Sequence, residues 1–111
     1  MAQQAFKVRT ELNGSKAAVQ CSGELDMASA DDFRKACHSS IQGPTISALQ
    51  IDFSELDFMD SAGIGVLAEA YKAAQTKNIQ VEVFVTGQPL KVLQIAGLTE
   101  ALGISPRANA V

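Results

Sequence analysis

The order of its strand and helix patterns constrains the fold of this 111-residue chain more than any other feature of the sequence. Alternating or β-branched runs predict strands, and apolar residues at helical spacing predict helices. Asn13-Gly14 is a strong turn signal, so the chain is expected to begin with a hairpin. The predicted elements are strands at 5–12 and 16–21, a helix at 27–41, a strand at about 49–53, a helix at 61–77, a strand at 81–85, a helix at 90–96 and a short strand around 104. This order predicts an α/β domain with a mixed β-sheet of four to five strands and helices packed against it.

Local patterns set the expected limits of these elements. Residues 23–26 are expected to end the second strand, and residues 54–59 to form a loop before the second long helix. The run at 81–85 is β-branched and typical of a central strand. The residues expected to be buried are Ala30, Phe33, Cys37 and Ile41 in the first helix and Ile64, Leu67, Tyr71 and Ala74 in the second. A second edge of the later helix is expected to meet a neighbouring helix or a partner, and it consists of Ala62, Val66, Ala70 and Ala73.

Length and charge limit the possible functions. The chain is short enough to be one domain over residues 1–111, with a loosely ordered tail from about 105 to 111. Its net charge of −3 comes from 12 acidic and 9 basic residues without long blocks of like charge, so nucleic acid is not an expected partner. No window reaches the ~18 apolar residues of a membrane span, and the amino terminus lacks the apolar core of a secretory signal. We therefore expect a cytoplasmic protein that does not insert into membranes and whose partner is another protein.

The two cysteines and the single histidine do not form a metal-binding pattern. Cys21 and Cys37 are too few and too far apart for a disulfide scaffold, and a cytosolic chain would keep them reduced. Buried packing is their expected role, and a redox role is the alternative. His38 is the only imidazole, and no zinc-ligand spacing surrounds it. No metal or cofactor site is predicted.

The segment from Phe58 to Leu67 is the main candidate for a functional site, and three interpretations compete for it. The first is dinucleotide binding, because residues 63–68 match the Gly-x-Gly-x-x-Gly/Ala fingerprint and Glu82 lies at roughly the distance expected of a ribose-binding acid. The fingerprint needs a tight turn from strand to helix, whereas a loop is expected at 54–59. The Asp60 carboxylate would also oppose a pyrophosphate.

The second interpretation makes Ser61 a catalytic nucleophile. An exposed serine at a corner between strand and helix resembles a hydrolase elbow, although Met59 stands where that motif has its first glycine. Activation would need a general base within hydrogen-bond reach, and His38 is expected on the polar part of the first helix. No lysine lies near the motif in sequence, and a Ser-Lys pair formed through the fold stays open.

The third interpretation makes Ser61 a phosphate acceptor in an exposed corner that a kinase can enter. Ala62, Gly63 and Gly65 are small and leave room for an approaching protein. A phosphoryl group at Ser61 would add roughly −1.5 to −2 units of charge beside Asp60. The competing structural interpretation is that Asp60 or Ser61 only caps the helix by accepting hydrogen bonds from its free backbone N–H groups.

Three motifs along the chain resemble landmarks of the STAS domain family, specifically of bacterial anti-sigma factor antagonists. They are Gly23-Glu24-Leu25-Asp26, the segment from Phe58 to Leu67, and Ala96-Gly97-Leu98. The resemblance covers almost the whole chain, and the central motif is the specific one. It implies a single STAS domain that binds a serine-kinase anti-sigma factor, an ATPase of the histidine-kinase-like type, and thereby frees the sigma factor. It also implies release of this antagonist once the serine after the motif aspartate, here Ser61, is phosphorylated.

The same resemblance implies further site residues and partners. The implied partner-binding residues around the acceptor are Asp26, Met59, Asp60, Gly63, Ile64 and Gly65. Ala62 stands where many relatives have a second hydroxyl residue, which makes the assignment of Ser61 less ambiguous. The chain would then be the substrate of a kinase rather than an enzyme, and a separate serine phosphatase would restore it. Two alternatives stay open: an accessory subunit of a bacterial lipid-transport ATPase complex, and an output module of another partner-switching pathway.

Overall fold

The computed structural model describes residues 5–102 and 104, and this part of the chain forms eight secondary-structure elements. In chain order they are β1 (Lys7–Asn13), β2 (Lys16–Leu25), α1 (Ala30–Ser40), β3 (Ala48–Met59), α2 (Ser61–Thr76), β4 (Gln80–Phe84), α3 (Gly87–Ile95) and α4 (Leu98–Ala101). Asn13 pairs with Lys16 across a two-residue turn, which confirms the predicted hairpin.

The four strands form one mixed sheet in the order β1-β2-β3-β4. β1 is antiparallel to β2, whereas β2, β3 and β4 are parallel to one another. α1 and α2 connect the parallel strands, pack against each other and contact the sheet. The predicted α/β fold is therefore confirmed, with four strands in the sheet. Because β2 and β3 are parallel neighbours, their carboxyl ends meet, and Leu25 pairs there with Met59.

The core lies between the two long helices and the sheet. All four residues of the stripe predicted for α1 are buried, and Phe33 contacts Phe53 of β3 with ring centroids 5.5 Å apart. In α2 the buried residues are Gly63, Val66, Leu67, Ala70 and Ala74. The core-facing stripe predicted for α2 is thus right for Leu67 and Ala74; Ile64 is half-buried and packs against the core, and Tyr71 is half-buried outside it. The buried face of α2 is rotated toward Val66, Ala70 and Ala73, because these residues lie beside α1. This edge of α2 therefore contacts a neighbouring helix, which is one of the two interpretations predicted for it.

Both strands before α2 run further than predicted: β2 ends inside the segment 23–26, at Leu25, and β3 continues through the predicted loop, which is wrong. β2 extends to Leu25, and its pairing with β3 shifts register twice, between Gln20 and Ser22 and between Gly23 and Glu24. Gly23 has a left-handed φ of 86° at the second shift, which a residue with a side chain would adopt only with strain. β3 runs unbroken to Met59, so residues 54–59 are strand and not loop.

Further differences concern the last third of the chain. β4 is at the edge of the described sheet, so the interpretation of 81–85 as a central strand is wrong. The apolar character of this run reflects burial in the core of Val83 in β4 and of Val85 directly after it, and not a strand on each side. α3 begins at Gly87, three residues before the prediction, and α4 was not predicted. Ile104 lies in no strand, and the rest of the predicted last strand and tail falls largely outside the described residues.

Candidate functional site

A single residue, Asp60, connects β3 to α2. Its backbone is extended, with φ −113° and ψ −169°, and its N–H donates to the Leu25 carbonyl at 3.2 Å. Its side chain caps the helix, because Oδ1 accepts a hydrogen bond from the Ala62 N–H at 2.9 Å. One free donor of the first turn is thereby satisfied by the carboxylate. The capping function that the sequence left open between two residues belongs to Asp60.

Ser61 is the first residue of α2, and it is exposed. Among the described residues, none forms a hydrogen bond with its hydroxyl. Because Asp60 already caps the helix, the Ser61 hydroxyl is not needed as a hydrogen-bond acceptor for the backbone N–H groups of the first turn. The positive end of the α2 dipole lies beneath it, which favours a negative group at this position. The hydroxyl is therefore accessible at a corner that also suits an added anion.

Two glycines in the first turns of α2 have opposite surroundings. A Cβ at Gly63 would lie 2.8 Å from Leu25 Cγ and 2.9 Å from Met59 Cγ, both in buried side chains. The helix can approach the two strand ends only because this Cβ is absent. A Cβ at Gly65 would meet nothing within 4 Å, so packing within the described chain does not require glycine there. Gly65 lies one turn beyond Ser61 on the same helix face, and because it has no side chain, nothing projects from that face beside Ser61.

Asp26 organises the loop from β2 to α1. Its Oδ1 accepts hydrogen bonds from the N–H groups of Ala28 at 3.0 Å and Ser29 at 3.2 Å. The buried Ser29 hydroxyl donates to the Glu24 carbonyl at 2.9 Å and accepts from the Asp26 N–H at 3.0 Å. Leu25 and Met59 are paired, so Asp26 and Asp60 follow neighbouring strand ends. The loop that carries Asp26 is therefore fixed beside the Ser61 corner.

Gln88 of α3 contacts the end of β3 on the side opposite β2. Its side-chain Oε1 accepts from the Met59 N–H at 2.8 Å, and its Nε2 donates to the Met59 carbonyl at 3.2 Å. The sequence prediction missed Gln88, because 29 residues separate it from Met59 and no local pattern connects them. It also missed Ser29, for which the Asp26-x-x-Ser29 spacing of a polar turn was an available signal.

The residues proposed from sequence divide by depth. Ser61 and Gly65 are exposed, whereas Asp26, Asp60 and Ile64 are half-buried. Met59 and Gly63 are buried and form the floor under the corner. The fold brings all of them to the carboxyl ends of β2 and β3 and the amino end of α2.

The two catalytic or nucleotide-binding alternatives gain no support from this geometry. The turn from strand to helix is tight, so the objection to dinucleotide binding that rested on a loop at 54–59 is wrong. A different objection replaces it, because Gly63 and Gly65 lie inside α2 and not in the turn that would cradle a phosphate. Nucleophilic catalysis would need a base at Ser61, but the exposed His38 imidazole of α1 lies 3.3 Å from the Gln42 side chain and forms no hydrogen bond with Ser61. In the described residues, no group of three or more metal-ligating side chains is suited to hold an ion.

Two other features of the described chain lie apart from the corner. Burial raises the pKa of the Cys37 thiol to about 12, and burial chiefly, with Cys37 and Asp52 adding to it, raises the pKa of Cys21 as well. Arg34 forms exposed ion pairs with Asp31 at 2.9 Å and Glu69 at 3.0 Å, linking α1 to α2.

None of the helices between residues 5 and 102 is long and apolar enough to cross a bilayer.

Comparison with known proteins gives a consistent result. Residues 7–110 match the model of the STAS domain. The anti-sigma F factor antagonist of Paenibacillus polymyxa is 31% identical over 87 residues, which is 78% of this chain and 74% of that protein. The match thus extends over most of both chains.

Solved structures agree on the fold. The crystal structure of an anti-sigma factor antagonist from Mycobacterium paratuberculosis has a TM-score of 0.83 at 24% identity, covering 95% of this chain and 89% of that chain. The Bacillus cell fate determinant SpoIIAA in its phosphorylated form has a TM-score of 0.69 at 20% identity, covering 95% and 93%. The α/β fold of this chain is therefore shared with both over most of its length.

Proposed function

The chain belongs to the STAS domain family, and we propose that within it the chain is an anti-sigma factor antagonist switched by phosphorylation of Ser61. One observation carries the proposal: Asp60 caps α2, and Ser61 beside it is exposed with an unbonded hydroxyl. A serine that served only as a cap would use its oxygen on a backbone N–H. The name of the Paenibacillus polymyxa relative supports an anti-sigma factor as partner, and the phosphorylated form of SpoIIAA supports a phosphorylation switch.

In the proposed mechanism, the unphosphorylated corner docks on a kinase of the histidine-kinase-like ATPase type, which supplies ATP and magnesium. The Ser61 Oγ attacks the γ-phosphorus, the bond from that phosphorus to the leaving oxygen of ADP breaks, and a base of the kinase takes the hydroxyl proton. This chain contributes the hydroxyl and the low surface around it. It is the substrate of the kinase and not an enzyme. In this mechanism a separate serine phosphatase restores the hydroxyl.

Phosphorylation would then weaken the complex by electrostatics and desolvation. The new group carries roughly −1.5 to −2 units of charge next to the Asp60 carboxylate, at a surface that the partner had covered when it was a hydroxyl. In the free chain, the amino end of α2 and water stabilise this charge. In the complex, it would have to be buried beside another negative group without a matched cation. The free energy of binding therefore becomes less favourable on phosphorylation.

The other proposed site residues have distinct roles in this interface. Gly65 leaves the face of α2 beside Ser61 open for the backbone of the partner, as its free surroundings permit. Asp26, Asp60 and Ile64 are half-buried and would contribute their exposed parts to the rim. Met59 and Gly63 are buried, and their contribution would be to the shape of the corner and not to direct side-chain contact.

The proposal is tested by incubating the chain with the anti-sigma factor kinase of the same organism and Mg-ATP, then mapping phosphate by mass spectrometry. We expect one phosphate, on Ser61, and none in Ser61→Ala. Ser54→Ala is the matched control, because Ser54 is also exposed but lies within β3. Ser61→Ala should retain binding to the kinase, and Ser61→Asp should weaken it by about tenfold or more. Phosphate on Ser54 or another residue, with Ser61 unmodified, contradicts the proposal.

A further inference from the structure

The end of β3 lacks a strand neighbour on one side. β4 pairs with β3 only from Ala48 to Asp52, whereas β3 continues to Met59. In the described part of the chain, the side of β3 that β4 vacates is taken by α3, which packs against β3. Backbone N–H and C=O groups that face this side need partners other than a strand.

At Met59 the side chain of Gln88 supplies those partners. The amide accepts from the Met59 N–H at 2.8 Å and donates to the Met59 carbonyl at 3.2 Å. One side-chain amide thus makes two bonds to Met59, one as acceptor and one as donor, as the opposite residue of a hydrogen-bonded pair in an antiparallel strand would. The next residue, Asp60, donates its N–H to the Leu25 carbonyl on the β2 side. The strand end is therefore fastened on both sides immediately before Ser61.

We propose that Gln88 is a positioning residue that sets how the Ser61 hydroxyl is presented to a kinase. The inference rests on the proposed function in taking Ser61 as the acceptor. Met59, Asp60 and Ser61 are consecutive, and the Asp60 cap depends on the path of the backbone through this turn. Without Gln88, the β2 side still holds Asp60, but the α3 side of the strand end is free to move. The direction of Ser61 then becomes less defined.

The expected consequence is a loss of transfer rate more than of affinity. Gln88 contacts Met59 and not Ser61, so it acts through the backbone. Transfer requires the attacking oxygen in line at about 3–3.5 Å, and a misplacement of about 1 Å can cost on the order of a hundredfold in rate. Docking of a broad surface tolerates such a displacement better. We expect kcat for phosphorylation to fall by about tenfold or more, with KM changed less than about threefold.

The test compares Gln88→Met with Gln94→Met. Methionine has nearly the shape of glutamine but cannot replace the two amide bonds. Gln94 lies exposed on the same helix, and its side chain forms no hydrogen bond within the described residues, so the control makes the same chemical change without loss of contacts. Amide hydrogen exchange of the ¹⁵N-labelled full chain is followed by NMR at Met59 and at Ile51, a buried residue in the middle of the same strand.

In Gln88→Met, we expect exchange at Met59 to accelerate about tenfold relative to Ile51, together with shifted Asp60 and Ser61 amide signals. A general loss of stability would accelerate both amides equally. Gln94→Met should change neither amide, and only Gln88→Met should reduce kcat. Unchanged relative exchange at Met59, or an unchanged kcat, overturns the positioning role. A wild-type chain that the kinase does not phosphorylate on Ser61 overturns the proposed function instead, and the exchange ratio then still decides whether Gln88 holds the strand end.

Discussion

Replacing Gly63 by alanine tests whether the α2 corner is packed as tightly as its geometry indicates. The new Cβ would lie 2.8 Å from Leu25 Cγ, 2.9 Å from Leu25 Cδ2 and 2.9 Å from Met59 Cγ. These side chains are 0% and 1% exposed, so neither can move into solvent to make room. Either the helix lifts from the strand ends or the two side chains leave their preferred rotamers. Both responses cost free energy.

The size of the effect follows from two opposing contributions. Inserting a methyl group into a well-packed core costs about 1–3 kcal/mol. Alanine improves on glycine inside a helix by about 1 kcal/mol. After the helix-propensity gain is subtracted from the packing cost, Gly63→Ala should change the free energy of unfolding by between about zero and a loss of about 2 kcal/mol. Gly65→Ala, in the same helix, should show only the gain, because its Cβ meets nothing within 4 Å. The difference between the two variants isolates the packing cost, since the propensity gain cancels.

Thermal unfolding followed by circular dichroism measures this difference. For a chain of 111 residues, 1 kcal/mol corresponds to about 4 °C in Tm. We expect Gly63→Ala to unfold about 4–12 °C below Gly65→Ala. Equal Tm values, or a higher value for Gly63→Ala, would refute the conclusion that α2 rests on Leu25 and Met59 through an obligatory glycine.

Three more predictions concern the thiols and the helix cap. Cys21 and Cys37 should react with iodoacetamide at pH 8 about a thousandfold more slowly in the folded chain than in urea, since their raised pKa values leave little thiolate. Mass spectrometry measures both rates, and similar rates would contradict the burial of the thiols. A folded pKa above the unfolded value near 9.0 also means that the free energy of unfolding falls as pH rises from about 9 toward 12, which denaturant titrations at several pH values can measure. Asp60→Ala should lower the free energy of unfolding by about 1 kcal/mol, because the cap is lost. Asp60→Asn should lower it much less, because an amide oxygen can still accept from the Ala62 N–H. Equal Tm values for the two variants would argue against the cap.

The sequence predicted those parts of the fold that local chemistry determines. The stripe Ala30, Phe33, Cys37 and Ile41 has the period of a helix and little else to satisfy, so α1 and its buried face were correct. Asn13-Gly14 fixed the hairpin in the same way. The start of α2 at Ser61 was also predictable, since an aspartate followed by small residues is a local signal for a cap.

The missed features depend on contacts between distant segments. Residues 54–59 contain several exposed polar residues and were predicted as a loop, yet pairing with β2 keeps them extended while Leu56 and Met59 are buried. Alternation alone cannot reveal this, because the register shifts opposite β2 interrupt the period of two. The hydrogen bonds of Gln88 to Met59 span 29 residues, and only the fold brings them together.

The affinity of the chain for the anti-sigma factor kinase proposed as its partner, with Ser61 free and with Ser61 phosphorylated, tests the central claim most directly. Isothermal titration calorimetry on the purified forms, each verified by mass spectrometry, gives the two dissociation constants. We predict binding about a hundredfold or more weaker after phosphorylation, equivalent to about 2.7 kcal/mol, from burial of a doubly charged group beside Asp60. Dissociation constants that agree within a factor of about two would contradict the claim that this serine controls association.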